Sequence, residues 1–112
     1  MLRSIKSAQR KLRSLHFKCS ADGTALSGLD SKKVSLTDTG TGVKTIELGS
    51  NGFASADYIV QVTVSTADSV AQISITDANT FVINTFDAGD GTTAKDAECH
   101  VSVIGSDIKD RY

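Results

Sequence analysis

Apolar and polar residues alternate in a series of short runs along most of this chain. The clearest run covers residues 58–66, where β-branched residues dominate. Its predicted inward positions are Tyr58, Val60, Val62 and Val64. The same alternation recurs at 33–37, 43–48, 70–75, 80–86 and 97–104. Because successive side chains of a strand point to opposite faces of a sheet, each run predicts a half-buried β-strand.

The N-terminal segment follows a different period. Residues 2–15 show a helical spacing, with less polar side chains on one side and basic side chains on the other. The first set is Leu2, Ile5, Ala8, Gln9, Leu12 and Leu15, and the second is Arg3, Lys6, Arg10 and Arg13. Strand-like alternation then begins, with Leu15, Phe17 and Cys19 on one face. We therefore predict a helical or adaptable segment to about Arg13, followed by a first strand that ends at Cys19.

Clusters of Gly, Asp, Asn and Ser separate the predicted strands and indicate turns. The runs at 33–37 and 43–48 predict a hairpin with a five-residue loop. About seven short strands result, at the spacing typical of a sandwich or small barrel. The length of 112 residues suits one domain. We predict an all-β fold, a single small β-sandwich or barrel at 14–106, with a basic N-terminal arm at 1–13 and a charged C-terminal tail at 107–112.

The net charge of −1 conceals an uneven distribution along the chain. Residues 1–19 contain six Lys or Arg and no acid, whereas the remainder contains the other six bases and all thirteen acids. A basic arm on an acidic body predicts docking to an acidic patch on a partner protein. We assign this partner binding to Arg3, Lys6, Arg10, Lys11 and Arg13. A solvated terminus and a mitochondrial transit peptide are alternative interpretations of the same composition.

Nucleic acid is another candidate partner for these bases, because Lys and Arg bind phosphates. Two features count against it. The segment has one aromatic residue for base stacking, Phe17, which is better placed in the first strand. The acidic remainder of the chain would also repel a polyanion.

The two cysteines and two histidines are candidate metal ligands. Cys99 and His100 are adjacent in a predicted strand and point to opposite faces, so they are not expected to share an ion. Cys19 and Cys99 fit buried thiols of a protein made in a reducing cytosol. A disulfide between them is the alternative, because both are predicted to face inward.

No other segment carries a recognisable catalytic or cofactor motif. The Asp-rich segments 77–79 and 87–91 do not match a calcium-binding loop and are typical of turns. The chain has no Gly-x-Ser-x-Gly nucleophile elbow and no phosphate-binding loop followed by a helix. No apolar run approaches the roughly 18 residues of a membrane span. We therefore predict a protein that is not an enzyme and has no catalytic residues, cofactor, metal or membrane partner.

Proline is absent from the chain. Proline is one of the residues that protect the edge strands of a sheet from pairing with other chains. The edges of this sandwich must therefore be protected by charge, by β-bulges or by contact with a partner.

The order of strands and turns carries a resemblance to a known class of proteins. The matching segments are 40–48, Phe53, 58–62, 80–87 and 97–105, within residues 12–106. Their order resembles the β-sandwich of small virion proteins of tailed bacteriophages, in particular capsid decoration (cement) proteins. It is also similar to domains of phage fibres and spikes.

The resemblance implies a structural protein on the outer capsid surface of the virion, made in the host cytoplasm. It implies a homotrimer whose partner is the major capsid (coat) protein and which stabilises the shell. A receptor- or glycan-binding module of a tail fibre or spike is the main alternative. A nucleic-acid-binding accessory protein that uses the basic arm is the second.

Overall fold

Eight strands form two antiparallel sheets in the computed structural model, which describes residues 12–106. The strands are β1 (Leu12–Cys19), β2 (Leu26–Ser27), β3 (Ser35–Gly40), β4 (Val43–Glu47), β5 (Ile59–Val64), β6 (Ser69–Ile75), β7 (Thr80–Asp87) and β8 (Cys99–Ser106). Two single 3-10 turns lie at Ser31–Lys33 and Gly49–Asn51. The predicted all-β sandwich is thereby confirmed.

Each sheet contains four strands. Sheet I has the order β2-β1-β8-β5, and sheet II has the order β3-β4-β7-β6. The chain crosses from sheet I to sheet II between β5 and β6, through residues 65–68. β5 and β6 are edge strands that contact each other, and β2 and β3 are the edges at the opposite ends of the two sheets.

The core lies between the sheets and follows the predicted alternation. Its members from sheet I are Leu15, Phe17, Cys19, Cys99, Val101 and Val103, and those from sheet II include Ile46, Phe81 and Ile83. Burying each large apolar side chain stabilises the fold by about 1.5–3 kcal/mol. The inward faces predicted for β1 and β8 are therefore confirmed.

Three aromatic rings close one end of this core. The rings of Phe53 and Tyr58 stack with centroids 5.1 Å apart, and Phe81 meets Tyr58 edge-on at 6.2 Å. The Tyr58 hydroxyl donates to the carbonyls of Asp77 and Thr80, at 2.9 and 3.0 Å. Burial raises the pKa of Tyr58 to about 12. These contacts tie the start of β5 in sheet I to the β6–β7 turn of sheet II.

The first strand begins earlier than the periodicity predicts. Leu12 and Arg13, assigned to the basic arm, belong to β1 because they pair with Ser106 and Gly105 of β8. Leu12 is exposed and Leu15 is buried, so the helical spacing that places both on one side is wrong for these two residues. Pairing with β8 outweighs the weak local preference for a helix. The rest of the predicted helical segment lies outside the described residues.

The structure also differs from the predictions for the hairpin loop at 38–42 and for the segment that precedes this hairpin. The five-residue hairpin loop is shorter in the structure, because β3 continues to Gly40 through a β-bulge between Asp38 and Gly40. Gly42 then turns the chain with φ of 70°, and an added Cβ would lie 2.6 Å from the Thr85 carbonyl oxygen. The two-residue strand β2 was missed, since its Gly- and Ser-rich surroundings are typical of a loop.

Candidate docking surface

The two lateral sides of the sandwich differ in how their strand edges are protected. We call the side formed by β2, β3 and the segment 28–34 the guarded side. We call the side formed by β5 and β6 the open side. An edge strand presents unpaired N–H and C=O groups on which another chain can add a strand, so protection of an edge determines whether it can bind a partner.

On the guarded side an aspartate closes the edge of β1. Strand β2 covers only the last two residues of β1, and the chain then returns alongside it. The His16 N–H donates to Asp30 Oδ2 at 2.7 Å, and the Asp30 N–H donates to the His16 carbonyl at 2.8 Å. Asp30 is 8% exposed, and Lys33 Nζ lies 3.4 Å from its Oδ1. The carboxylate thus replaces a strand partner at this edge.

Charge-assisted hydrogen bonding also sets the ionisation of Asp30. The hydrogen bond from the His16 backbone N–H lowers the pKa of Asp30, and Lys33 adds to the effect. Desolvation acts in the opposite direction and is the weaker influence. The group is therefore held as a carboxylate, the form that accepts this bond.

The β3 edge is protected in a different way. Its bulge between Asp38 and Gly40 interrupts the ladder, and Asp38 Oδ1 accepts the Gly40 N–H at 3.1 Å. Lys32 and Lys33 lie just before the strand. A bulge and charged side chains are two of the devices by which natural sheets prevent edge-to-edge pairing.

The open side has neither device within its strands. The sequence of β5 is Ile-Val-Gln-Val-Thr-Val and that of β6 is Ser-Val-Ala-Gln-Ile-Ser-Ile, without a charged residue or a proline. Among residues 12–106, β5 pairs only with β8 and β6 pairs only with β7. No register shift interrupts either ladder. Both strands therefore offer a regular, uncharged edge.

The interior is also incompletely covered on the open side. Seven apolar residues pack against the core but are only partly buried. Leu26 and Leu36 lie on the guarded side, and the other five lie on β5 and β6: Val60, Val62, Ala71, Ile73 and Ile75. A further strand or apolar segment placed against this side would remove more of their surface from water. Apolar area buried in this way contributes roughly 25 cal/mol per Å².

An apolar patch on the outer face of sheet I adjoins the open side. Ile59 of β5 pairs directly with Ile104 of β8, and the two are 59% and 39% exposed. Leu12, 72% exposed, lies on the same face at the same end of the sheet. The N-terminal segment enters the described fold at Leu12, so the patch lies where the basic residues join the sandwich.

Arg13 is held by the sandwich. Its Nη1 and Nη2 donate to the carbonyls of Asn51 and Gly52, each at 2.8 Å. Its guanidinium carbon lies 4.5 Å from the centroid of the Phe53 ring. These contacts stabilise the loop between β4 and β5 against β1. The other four predicted docking residues, Arg3, Lys6, Arg10 and Lys11, lie outside the described residues, so their role stays a prediction.

The histidines lie on the outer face of sheet I. The His16 ring nitrogens are 3.0 Å from Ser102 Oγ and 3.1 Å from Ser14 Oγ, and His100 Nε2 is 3.7 Å from Glu98 Oε1. Cys99 is buried on the opposite face from His100, as predicted. Within residues 12–106 no three His, Cys, Asp or Glu side chains are grouped to hold a metal ion.

The Asp-rich segments use their carboxylates to form turns. Asp77 Oδ1 accepts the Asn79 N–H at 2.8 Å, and Asp87 Oδ1 accepts the Gly89 N–H at 2.9 Å. Asp90 accepts hydrogen bonds from the Thr93 side chain and from two backbone N–H groups, which lowers its pKa to about 2. The turn interpretation therefore explains the spacing of these residues.

Comparison of the chain with family models, with curated proteins and with solved structures found no match. The resemblance to phage decoration proteins stays a prediction. None of the helical segments in residues 12–106 has the length and apolar character needed to cross a membrane.

The open side was not identified from the sequence. Its signal is present there, as two consecutive strands without charge or proline. Alternation indicates that a segment is a strand, but not whether it lies at the centre or the edge of a sheet.

Proposed function

We propose that the protein is a structural, non-catalytic virion protein that binds the outer surface of a bacteriophage capsid as a decoration (cement) protein. In this proposal the open side adds to an exposed strand or apolar segment of the coat protein. The bases of the N-terminal segment meet acidic residues of the same partner. The observation that carries the proposal is the pair of regular, uncharged edges of β5 and β6.

Strand addition fits this surface for a physical reason. Main-chain hydrogen bonds provide affinity at an edge, and the half-buried apolar residues beneath it provide area that a partner can cover. A docking function of this kind requires complementarity over a surface and no reactive groups.

The position of the aromatic residues supports docking over glycan binding. Phe17, Phe53, Tyr58 and Phe81 are buried in the core, and Phe86 of β7, which pairs with Val70, is only partly buried. A glycan-binding module would be expected to present aromatic rings at its surface. Receptor or glycan binding by a fibre or spike domain is therefore the weaker proposal.

The open side is tested by adding charge to its edges. We expect the double substitution Gln61→Lys with Gln72→Lys to weaken binding to coat-protein shells by at least about tenfold, or 1.4 kcal/mol. Both side chains are exposed, one on β5 and one on β6. The measurement is co-sedimentation with shells of the source phage prepared without this protein.

The matched control is Thr37→Lys on β3, an exposed position on the guarded side. It adds the same side chain to an edge that is already protected, so binding should be unchanged. Wild-type binding by the double variant would refute docking through the open side. Equal losses in both variants would indicate a general effect of charge.

The N-terminal bases are tested by deletion of residues 1–11, which retains Leu12 and Arg13 because both belong to β1. A second variant keeps the length and replaces Arg3, Lys6, Arg10 and Lys11 with Gln. We expect both to fold and to bind shells weakly, with the remaining affinity less dependent on salt. Full binding by both would limit the docking surface to the sandwich itself.

A further inference from the structure

The fold brings the two cysteines of the chain to the same position along two paired strands. Cys19 is the last residue of β1 and Cys99 is the first residue of β8, and they are direct cross-strand partners. Both side chains face the core and are completely buried, and both thiols are free. The chain has no other cysteine.

The register places this pair close to the geometry of a disulfide. The N–H and C=O of His16 bond to Asp30 on the β2 side, so those of Cys19, three residues on, point toward β8. In such a hydrogen-bonded pair the Cα atoms are about 5.5 Å apart, within the roughly 4.4–6.8 Å range of disulfides. The Cβ atoms must approach by about 1 Å to reach disulfide spacing. The pair lies at the end of the β1–β8 ladder, and each cysteine also has a partner on its other side, Leu26 of β2 for Cys19 and Val64 of β5 for Cys99.

A buried lysine lies beside the two thiols. Lys44 is 1% exposed, and its Nζ donates to the Ala97 carbonyl at 3.0 Å. The Cys99 thiol lies 3.5 Å from the same oxygen. Burial raises the pKa of Cys19 to about 12 and raises that of Cys99, while the Lys44 ammonium acts in the opposite direction on both. In the closed fold the thiols therefore stay protonated, and reaction requires that this end of the sheet opens or has yet to form.

We propose that Cys19 and Cys99 are a modification site, at which a reversible cross-strand disulfide forms by exchange with a low-molecular-weight disulfide such as oxidised glutathione. One cysteine attacks the glutathione disulfide, forming a mixed disulfide and releasing one reduced glutathione. The second cysteine then attacks the protein sulfur of that mixed disulfide and releases the second reduced glutathione. The two thiols are oxidised, the glutathione disulfide is reduced, and the two thiol protons finish on the two glutathione molecules.

The position of the pair predicts how such a bond behaves. Because the Cβ atoms must move together, the disulfide should be reduced more readily than an unstrained structural one. It also encloses about 80 residues, nearly all of the sandwich, so it should raise the denaturant midpoint. This inference does not depend on the proposed function.

The test is refolding of the reduced, unfolded full chain in buffers with an excess of either oxidised or reduced glutathione. Each sample is checked for folding by circular dichroism, unfolded in alkylating reagent and weighed by mass spectrometry. We expect the oxidised sample to be two hydrogens lighter and to take up no reagent, and the reduced sample to take up two. Cys19→Ser and Cys99→Ser are matched controls, because neither can form the intramolecular bond.

The result that overturns the proposal is a folded, oxidised wild-type sample that still carries two alkylatable thiols. A folded sample that carries glutathione on one or both cysteines would overturn it equally. If the oxidised sample does not fold, the pair cannot bond within this fold, and the proposal is again refuted.

Discussion

The guarded and open sides belong to one sandwich and border the same core, yet their edge strands differ in how they are protected from pairing with another chain. On the guarded side a short strand and the carboxylate of Asp30 pair with backbone groups of β1, and a β-bulge interrupts β3. On the open side two strands of six and seven residues end the sheets without charge, bulge or proline. The two sides therefore differ in the charge and the regularity of their edge strands.

Protection of an edge requires particular residues at particular positions. Asp30, three residues after β2, is such a residue, because its carboxylate accepts the His16 N–H. β5 and β6 contain no charged residue at any position, so they lack the charge by which natural sheets commonly protect an edge strand.

The largest loss of stability is expected for substitutions in the core, at its centre and on the open side. Ile83→Ala removes a completely buried side chain and should reduce the free energy of unfolding by about 4 kcal/mol. Ile73→Ala, at a partly buried position of β6, should reduce it by about 2 kcal/mol. Chemical denaturation of both variants measures the difference. Equal losses would show that Ile73 is covered as fully as Ile83, and the side would not be open.

A somewhat smaller effect is expected on the guarded side. Asp30→Ala removes the acceptor of the His16 N–H and should destabilise the fold by about 2 kcal/mol. Asp30→Asn is the matched control, because its amide oxygen can still accept that bond, and it should lose less. If the two variants are equally stable, the carboxylate does not protect the edge through this hydrogen bond.

The contribution of Asp30 should also depend on pH. Its pKa is lowered in the folded state from 3.8, so its stabilisation is present above about pH 4 and is lost as the pH falls through the folded value. The stability difference between the wild type and Asp30→Ala should therefore be constant near neutrality and should shrink below pH 4. Denaturation midpoints measured from pH 7 to pH 2 check this. A difference that persists unchanged at the lowest pH would contradict the assignment.

The smallest effect on stability is expected for added charge on the open edge. Gln61→Lys and Gln72→Lys are exposed changes, so each should alter the free energy of unfolding by less than about 0.5 kcal/mol. Light scattering of concentrated protein should nevertheless show less self-association than in the wild type, because the charges disfavour edge pairing between copies. Stability loss well above this limit would mean that the edges contribute to the fold itself.

The alternation of the sequence predicted most of the strands because a half-buried strand needs one apolar face. Leu15, Phe17 and Cys19 face inward for this reason, as do Val101 and Val103. Pattern alone was misleading at Leu12 and Arg13, where pairing with β8 determines the conformation. The alternation did not predict β2, since a strand of two residues is too short to show a period.

The candidate docking surface is less predictable from the sequence than the fold is. Arg13 was grouped with the basic arm because of its charge, but its guanidinium binds backbone carbonyls of the β4–β5 loop. Asp30 had no sequence signal at all, because its partner is a backbone N–H fourteen positions earlier in the chain. Contacts between distant positions cannot be inferred from local spacing.

Most of the strands and their inward faces follow from the sequence because a half-buried strand has a period of two, and the uneven distribution of charge follows from residue type alone. The fold is needed to know which strands are edges, that Asp30 closes the edge of β1, and that Cys19 faces Cys99 across β1 and β8. The order of strands in a sheet is set by how the whole chain packs around one core. The absence of proline is read from the sequence, but the fold is needed to show that β5 and β6 are edge strands without a charged residue or a bulge.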